Sequence, residues 1–188
     1  MATASLERQR QAEPRRVVVV GGGVVGATAA WVLHERGHHV VMIAAEPPQA
    51  TVSAVAAAIW YPFLAEPRER VLGWAQRTFV RLRALADERG SGVAMRPVVE
   101  VQRGAAAGRA PWWASAAGAI EWLPAALVPP PFEAALRTSV PVCDTKEHLP
   151  FLHERLAAAG VRTVERRLTT LDEAFVHGDV VVNATGLG

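Results

Sequence analysis

The chain has one cysteine, Cys143, among 188 residues. A single thiol excludes an internal disulfide and fits a reducing compartment, so a cytoplasmic protein is the expectation. Cys143 itself reads as a small buried apolar residue. No apolar run approaches the roughly 20 residues of a membrane helix, so no membrane span is expected. Charge of one sign is also scarce: 20 Lys+Arg stand against 18 Asp+Glu, a net charge of +2 drawn mainly from arginine. No basic run is long enough to point to nucleic acid as a partner. Met1–Pro14 is polar and has no hydrophobic region, which does not match a secretory signal. Its Glu7 and Glu13 count against an organelle presequence, and a disordered tail is expected there. His148 and His153 are not paired with a carboxylate or thiol cluster at a metal spacing, so no metal site is expected. Both read as surface or capping residues near the start of a helix running to Ala159.

What is present is a 51% hydrophobic fraction, enough for a sizeable core in one domain, or in one domain and part of another. The organising stretch is Val17–Gly26, VVVVGGGVVG. Val17–Val20 is all β-branched, as suits a strand buried on both faces. Gly21, Gly23 and Gly26 form G-x-G-x-x-G, with an extra glycine at Gly22. In such a turn the first glycine allows a tight exit from the strand. The second lets the backbone approach a pyrophosphate, and the third lets the helix pack on the sheet. The helix then aims its free N–H groups and positive dipole end at the phosphates. An Ala-rich helix is expected over Ala27–Arg36, closed by Gly37, and a second strand over Val40–Ala44. That completes a β-α-β unit. The ribose-binding acid of such folds stands about 20 positions past the glycines, and Glu46 lies at that distance from Gly26. An acid there argues against a 2′-phosphate, hence against NADP.

Pro47-Pro48 breaks the chain, and Thr51–Ile59 (TVSAVAAAI) reads as a helix of small residues able to approach a flat ligand closely. Pro67–Gly90 reads as a long helix with Val71, Trp74, Thr78, Leu82 and Leu85 in one buried stripe and Arg77, Arg81, Arg83 and Glu88 on a solvated face. Val93–Gln102 has strand character. Residues 104–131, rich in Ala, Gly and Pro, read as irregular structure with Trp112, Trp113 and Trp122 as core anchors. Val161–Glu165 and Asp179–Asn183 are further strands, the latter buried, with a short helix at Leu171–Phe175 between them.

The sequence VVVGGGVVG followed by AAEPPQATVSAVAAAIWYPF resembles the N-terminal half of the D-amino-acid oxidase family of flavoproteins. Pro141–Leu152 (PVCDTKEHLPFL) and Val180–Gly188 (VVVNATGLG) resemble two later segments of that family, so the likeness runs from about residue 16 to 188. The chain departs from the family's habits at Ala45, Ala58, Cys143 and His148.

The resemblance implies an α/β architecture: a Rossmann-like FAD-binding domain carrying part of a mixed or antiparallel substrate-side sheet. FAD-domain segments are expected at 15–66 and 141–188, with a substrate-side insertion at 67–140. It also implies FAD as cofactor, a D-amino acid and O2 as small-molecule partners, and oxidation to an imino acid with hydrogen peroxide as by-product. A homodimer is left open. Carried over by position, Gly21, Gly22, Gly23, Val24, Val25 and Gly26 would hold the pyrophosphate, and Ala45 and Glu46 would face the adenosine ribose. Thr51, Val52 and Ser53 would lie along the ribityl-phosphate, and Ala57, Ala58 and Ile59 near the flavin. Leu168 would line the adenine pocket, Thr185 and Gly186 would touch the cofactor, and Tyr61 would stand at the substrate mouth.

Family members continue beyond the turn at Gly186. The resemblance therefore implies an N-terminal portion, inactive alone, with the substrate-clamping arginine and pocket tyrosines further on and no catalytic residue assignable here. Nothing in the sequence supports Arg96 or Arg109 as that clamp. Two other readings stay open from the residues: a nicotinamide-dependent dehydrogenase, and a nucleotide-binding remnant without catalysis.

Overall fold

The computed structural model describes residues 13–56 and 58–186. The expected disordered tail lies, up to residue 12, outside the described residues, as does Ala57. The chain divides into two compact units, Met1–Ala56 with Thr145–Gly188, and Ala57–Asp144.

In the first unit, β1 (Arg16–Val20), β2 (His39–Ala44), β7 (Arg162–Glu165) and β8 (Val180–Asn183) form a sheet in the order β7-β2-β1-β8. Every pairing in it is parallel. All four valines of β1 after Arg16 are buried. Side chains alternate across a strand. Val17 and Val19 therefore meet Ala27, Ala30, Leu149 and Leu156 on one face, while Val18 and Val20 meet Ile43 and Ala174 on the other. Each such burial contributes about 1.5–3 kcal/mol relative to exposure, which makes β1 the centre of this core. The edge strand β8 is half-buried rather than buried.

Helix α1 (Val24–Glu35) follows the glycine turn and starts three residues before the expected Ala27. It packs Ala27 and Ala30 onto β1. The expected helix over Thr51–Ile59 is not formed. Short 3-10 turns at Pro48–Ala50 and Val52–Val55 precede a two-residue strand, β3 (Ala58–Ile59). The reason lies in tertiary contacts. The Thr145 hydroxyl donates to the carbonyls of Ala54 and Ala56, at 3.4 and 2.9 Å. A continuous helix would give those carbonyls to amides four residues on. Helix α3 (Thr145–Ala158) completes this unit. His148 is a correction to the sequence reading: it is 4% exposed and stacks on Phe151 rather than facing solvent.

In the second unit, β4 (Val93–Gln102) and β6 (Ala134–Cys143) pair antiparallel over ten residues, from Val93↔Cys143 to Gln102↔Ala134. The short strands β3 and β5 (Glu121–Trp122) add to β6. Helix α2 (Arg68–Leu85) buries Val71, Ala75, Phe79 and Leu85. The expected stripe is thus rotated: Trp74 is 53% exposed and Thr78 is exposed. Trp60 decides the rotation. Its indole N–H donates to the Ala75 carbonyl at 2.9 Å, and its ring meets Phe79 and Trp113 edge-on. Trp113 is buried, Trp112 is half-buried under the Arg68 guanidinium, and Trp122 is exposed, so only the first is a core anchor outright. Cys143 is half-buried; burial, and then the charge of Asp144, push its thiol up to about 11. Among the described residues no helix is long and apolar enough to cross a membrane.

Candidate functional site

A cavity of about 760 Å³ opens in the first unit at the carboxyl ends of all four parallel strands. In parallel α/β sheets that is where ligands bind. Val20 ends β1, Ala45 and Glu46 follow β2, Arg166–Leu171 follow β7, and Asn183–Gly186 lie at the end of β8. The segment Thr51–Ser53 forms a further wall.

The glycine turn forms the floor. Gly21 has φ +124°, a conformation that side chains resist, and a Cβ there would strike the Ala184 carbonyl oxygen. The turn is tied on both sides, by Gly21 N–H to the Ile43 carbonyl and by Ala184 N–H to the Val20 carbonyl, each at 2.8 Å. A Cβ on Gly22 would lie 2.8 Å from Ala44 Cβ, and one on Gly23 would lie 2.8 Å from Ser53 Oγ. Gly26 serves packing: a Cβ there would collide with the Gly21 carbonyl oxygen. The first amides of α1 have no intrahelical acceptor. Val24 gives its N–H to Ser53 Oγ at 3.0 Å. No acidic residue sits in the first turn of α1 to oppose an anion.

The rim carries the charges. Glu46 Oε1 accepts from Arg167 Nη2 at 2.8 Å. Next to it, Arg166 donates to Glu173 at 2.6 Å. Glu173 also accepts from the Thr169 hydroxyl and amide, and from the Thr170 amide. These hydrogen bonds, led by the Thr169 hydroxyl, hold the Glu173 carboxyl at about 2. The Arg166–Leu171 segment is thereby fastened in place. Beside β8, Asn183 Oδ1 accepts from the Thr185 amide and hydroxyl, which shapes the turn to Gly186.

Of the residues singled out in the sequence, Gly21, Gly22, Gly23, Val25, Ala45, Glu46, Thr51, Val52, Ser53, Leu168, Thr185 and Gly186 line this one cavity. Val24 and Gly26 support it from behind. Ala57 lies outside the described residues. Ala58, Ile59 and Tyr61 belong to the second unit, along a smaller apolar cleft of about 340 Å³ beside α2. There Tyr61 is 41% exposed and donates to Glu100 at 2.9 Å. Partial burial, then that hydrogen bond, raise its phenol above the ordinary value.

Arg166, Arg167, Thr169, Thr170 and Leu171 also line the cavity, although the sequence analysis assigns them no site role. The signal was available, because they directly follow a parallel strand, where ligand-facing loops lie. From the sequence, His153 is expected at the surface or at a cap. His153 is half-buried on α3, with Nε2 2.8 Å from the Gly22 carbonyl oxygen. No local signal in the sequence points to that contact.

These residues fit a dinucleotide: a turn whose glycines leave no room for side chains, a helix N-terminus free of acids, an acid at the rim and apolar Leu168 and Leu171 in the wall. Comparison with known proteins gives the class. Residues 16–188 match the family model of the FAD dependent oxidoreductases known as DAO, and the chain belongs to that family. The nicotinamide-dependent alternative gives way to this match. Among curated relatives, the chain is 43% identical over 172 residues to the D-amino-acid oxidase of Rubrobacter xylanophilus, covering 92% of this chain and 52% of the relative. It is 40% identical over 184 residues to the D-amino-acid oxidase of Streptomyces coelicolor, covering 97% and 55%. The chain thus spans about half the length of these relatives. In fold it is similar to glycine oxidase from Geobacillus kaustophilus, with a TM-score of 0.64 at 16% identity over 93% of this chain and 56% of that one. It is equally similar to L-proline dehydrogenase from P. horikoshii, with a TM-score of 0.64 at 17% identity over 92% and 53%.

Proposed function

We propose that this chain supplies the FAD-binding part of an oxidase of D-amino acids. The observation that carries the cofactor reading is the side-chain-free glycine turn at the carboxyl ends of four parallel strands. The choice of D-amino acids rests on the curated relatives. In this reading the Gly21–Gly23 backbone and the start of α1 take the pyrophosphate, and Glu46 accepts hydrogen bonds from the adenosine ribose. Leu168 and Leu171 cover the adenine, and Thr51–Ser53 with Thr185 and Gly186 run along the rest of the cofactor. Ala57, Ala58 and Ile59 are assigned to the flavin end and Tyr61 to the substrate mouth, on the strength of the family resemblance.

The chemistry FAD would supply when bound is a two-electron oxidation: the amino acid would lose two electrons and two protons to become an imino acid, which water converts to a 2-oxo acid and ammonia, and O2 would finally receive two electrons and two protons to become hydrogen peroxide. Reaction requires the substrate's α-carbon to be held in place, and positioning of that kind can supply roughly 7–11 kcal/mol of a barrier. A bidentate arginine on the carboxylate is the usual device. We assign that clamp to the part of the relatives that this chain does not span. A reducing, cytoplasmic setting fits the single cysteine.

The test has two arms. The 188 residues are expected to bind FAD, seen as flavin fluorescence quenching on titration, yet to release no peroxide from D-alanine. Combined with the C-terminal half of one of the D-amino-acid oxidase relatives, they are expected to release peroxide from D-alanine and not from L-alanine. Absence of flavin binding would remove the cofactor reading. Ordinary turnover by the 188 residues alone would show that the clamp already lies among them.

A further inference from the structure

We infer that His153 is a positioning residue for the cofactor, setting the direction of the amide at the centre of the glycine turn. The inference rests on the FAD reading above and deepens it. His153 Nε2 lies 2.8 Å from the Gly22 carbonyl oxygen. A carbonyl oxygen only accepts, so Nε2 carries the proton and donates. His153 stands on α3, behind the turn and outside the cavity wall, whereas Gly22 and Gly23 form part of that wall.

The Gly22–Gly23 peptide is trans, as are all described bonds other than Glu66-Pro67 and Pro130-Pro131. In a planar trans peptide the C=O and the following N–H point in opposite directions. Drawing the Gly22 carbonyl toward His153 therefore turns the Gly23 N–H away from α3. With glycine on both sides, that peptide plane is among the least restrained a chain can have, because neither neighbour has a Cβ to limit its rotation. The hydrogen bond supplies the restraint that side chains cannot. The ring also packs close to the turn, since a Cβ on Gly22 would stand 3.9 Å from His153 Cε1.

Helix α3 is a suitable support for this role. It buries Leu149, Leu152 and Leu156 in the core of the same unit, and at its start the Thr145 hydroxyl holds the Ala54 and Ala56 carbonyls beyond Ser53. One helix thus sets both the glycine turn and the segment opposite it. His153 is separated from Gly22 by 131 positions, so the restraint is a tertiary one.

The test compares three substitutions in the purified protein, after removal of FAD, by equilibrium titration with FAD and with ADP. ADP carries the pyrophosphate and ribose without the flavin. His153→Leu is expected to weaken both ligands roughly five- to tenfold, the size of one ordinary hydrogen bond. His153→Gln, whose amide nitrogen reaches the place of Nε2, is expected to stay within about twofold of wild type, and the shorter His153→Asn to behave like His153→Leu. The Asn variant carries the comparison if the Leu variant does not fold. A purely structural role for the ring would lower the melting temperature of the ligand-free protein in all three variants and leave the dissociation constants alone. That result would overturn the inference, as would a Gln variant no better than Leu. If the wild-type protein binds neither FAD nor ADP, the cofactor reading falls and this inference with it. If wild type binds both and His153→Leu binds equally well, only the role of His153 falls.

Discussion

Gly23→Ala and Ser53→Ala form a thermodynamic cycle whose outcome follows from a short distance. Gly23 has φ −76° and ψ −178°, extended backbone that alanine adopts freely, so the first substitution carries no conformational cost. Its Cβ, however, would stand 2.8 Å from Ser53 Oγ and 3.8 Å from Ser53 Cβ. The hydroxyl must move, and it is the acceptor for the Val24 N–H at 3.0 Å. Either substitution alone therefore removes the same cap on α1, at a cost of about 1 kcal/mol. In a chain of this length each kcal/mol corresponds to roughly 2–4 °C of melting temperature. In the double variant the added methyl meets only Ser53 Cβ, at ordinary contact distance. Restricting the unfolded chain then gains about 0.4–1 kcal/mol. The double variant is thus expected to be at least as stable as Ser53→Ala, a coupling of about 1 kcal/mol. FAD affinity is expected to follow a different pattern, lost wherever Gly23→Ala is present, because in the function proposed above the pyrophosphate packs against the bare Gly23 backbone. Urea unfolding of the ligand-free protein measures the first pattern and flavin fluorescence quenching the second. Additive losses of stability would refute the steric argument, and restored FAD binding in the double variant would refute the role assigned to the turn.

Two further expectations concern charges. Glu46→Ala should weaken FAD binding by roughly one to two powers of ten, since hydrogen bonds to a charged acceptor contribute about 1.5–3 kcal/mol; an unchanged dissociation constant would make Glu46 a surface charge only. Removing its partner by Arg167→Ala should change stability by less than about 1 kcal/mol, because the two side chains are 71% and 49% exposed, and a larger loss in urea unfolding would show the pair to be structural. Glu173, held at about 2 against an ordinary 4.5, binds its proton more readily in the unfolded chain. Its contribution is therefore present above about pH 4.5 and is lost as pH falls toward 2. Glu173→Gln should flatten the dependence of the urea midpoint on pH across that window, and an unaltered slope would show that the carboxylate does not fasten the Arg166–Leu171 segment.

The β1-α1-β2 unit is legible from residue order alone, because its signals are contiguous: four valines, the glycines, an Ala-rich stretch and Gly37, each acting on its immediate neighbours. Residue order likewise marks β4 at Val93–Gln102, and spacing singles out the glycines and Glu46 that line one cavity, whereas Leu168 and Thr185 in the same lining are reached only through the family resemblance. Which face of α2 is buried was another matter. Hydrophobic residues surround that helix, and the choice of Ala75 and Phe79 over Trp74 was made by Trp60 and Trp113 arriving from elsewhere in the chain. Thr51–Ile59 had helix-forming composition, but Thr145 claims two of the carbonyls that a helix would use. His153 and Arg167 show the same limit at the site itself. Each acts on a partner more than a hundred positions away, Gly22 and Glu46 respectively. A periodicity or a motif reports only what a residue does to its sequence neighbours, whereas these contacts exist only once strands and helices have been brought side by side.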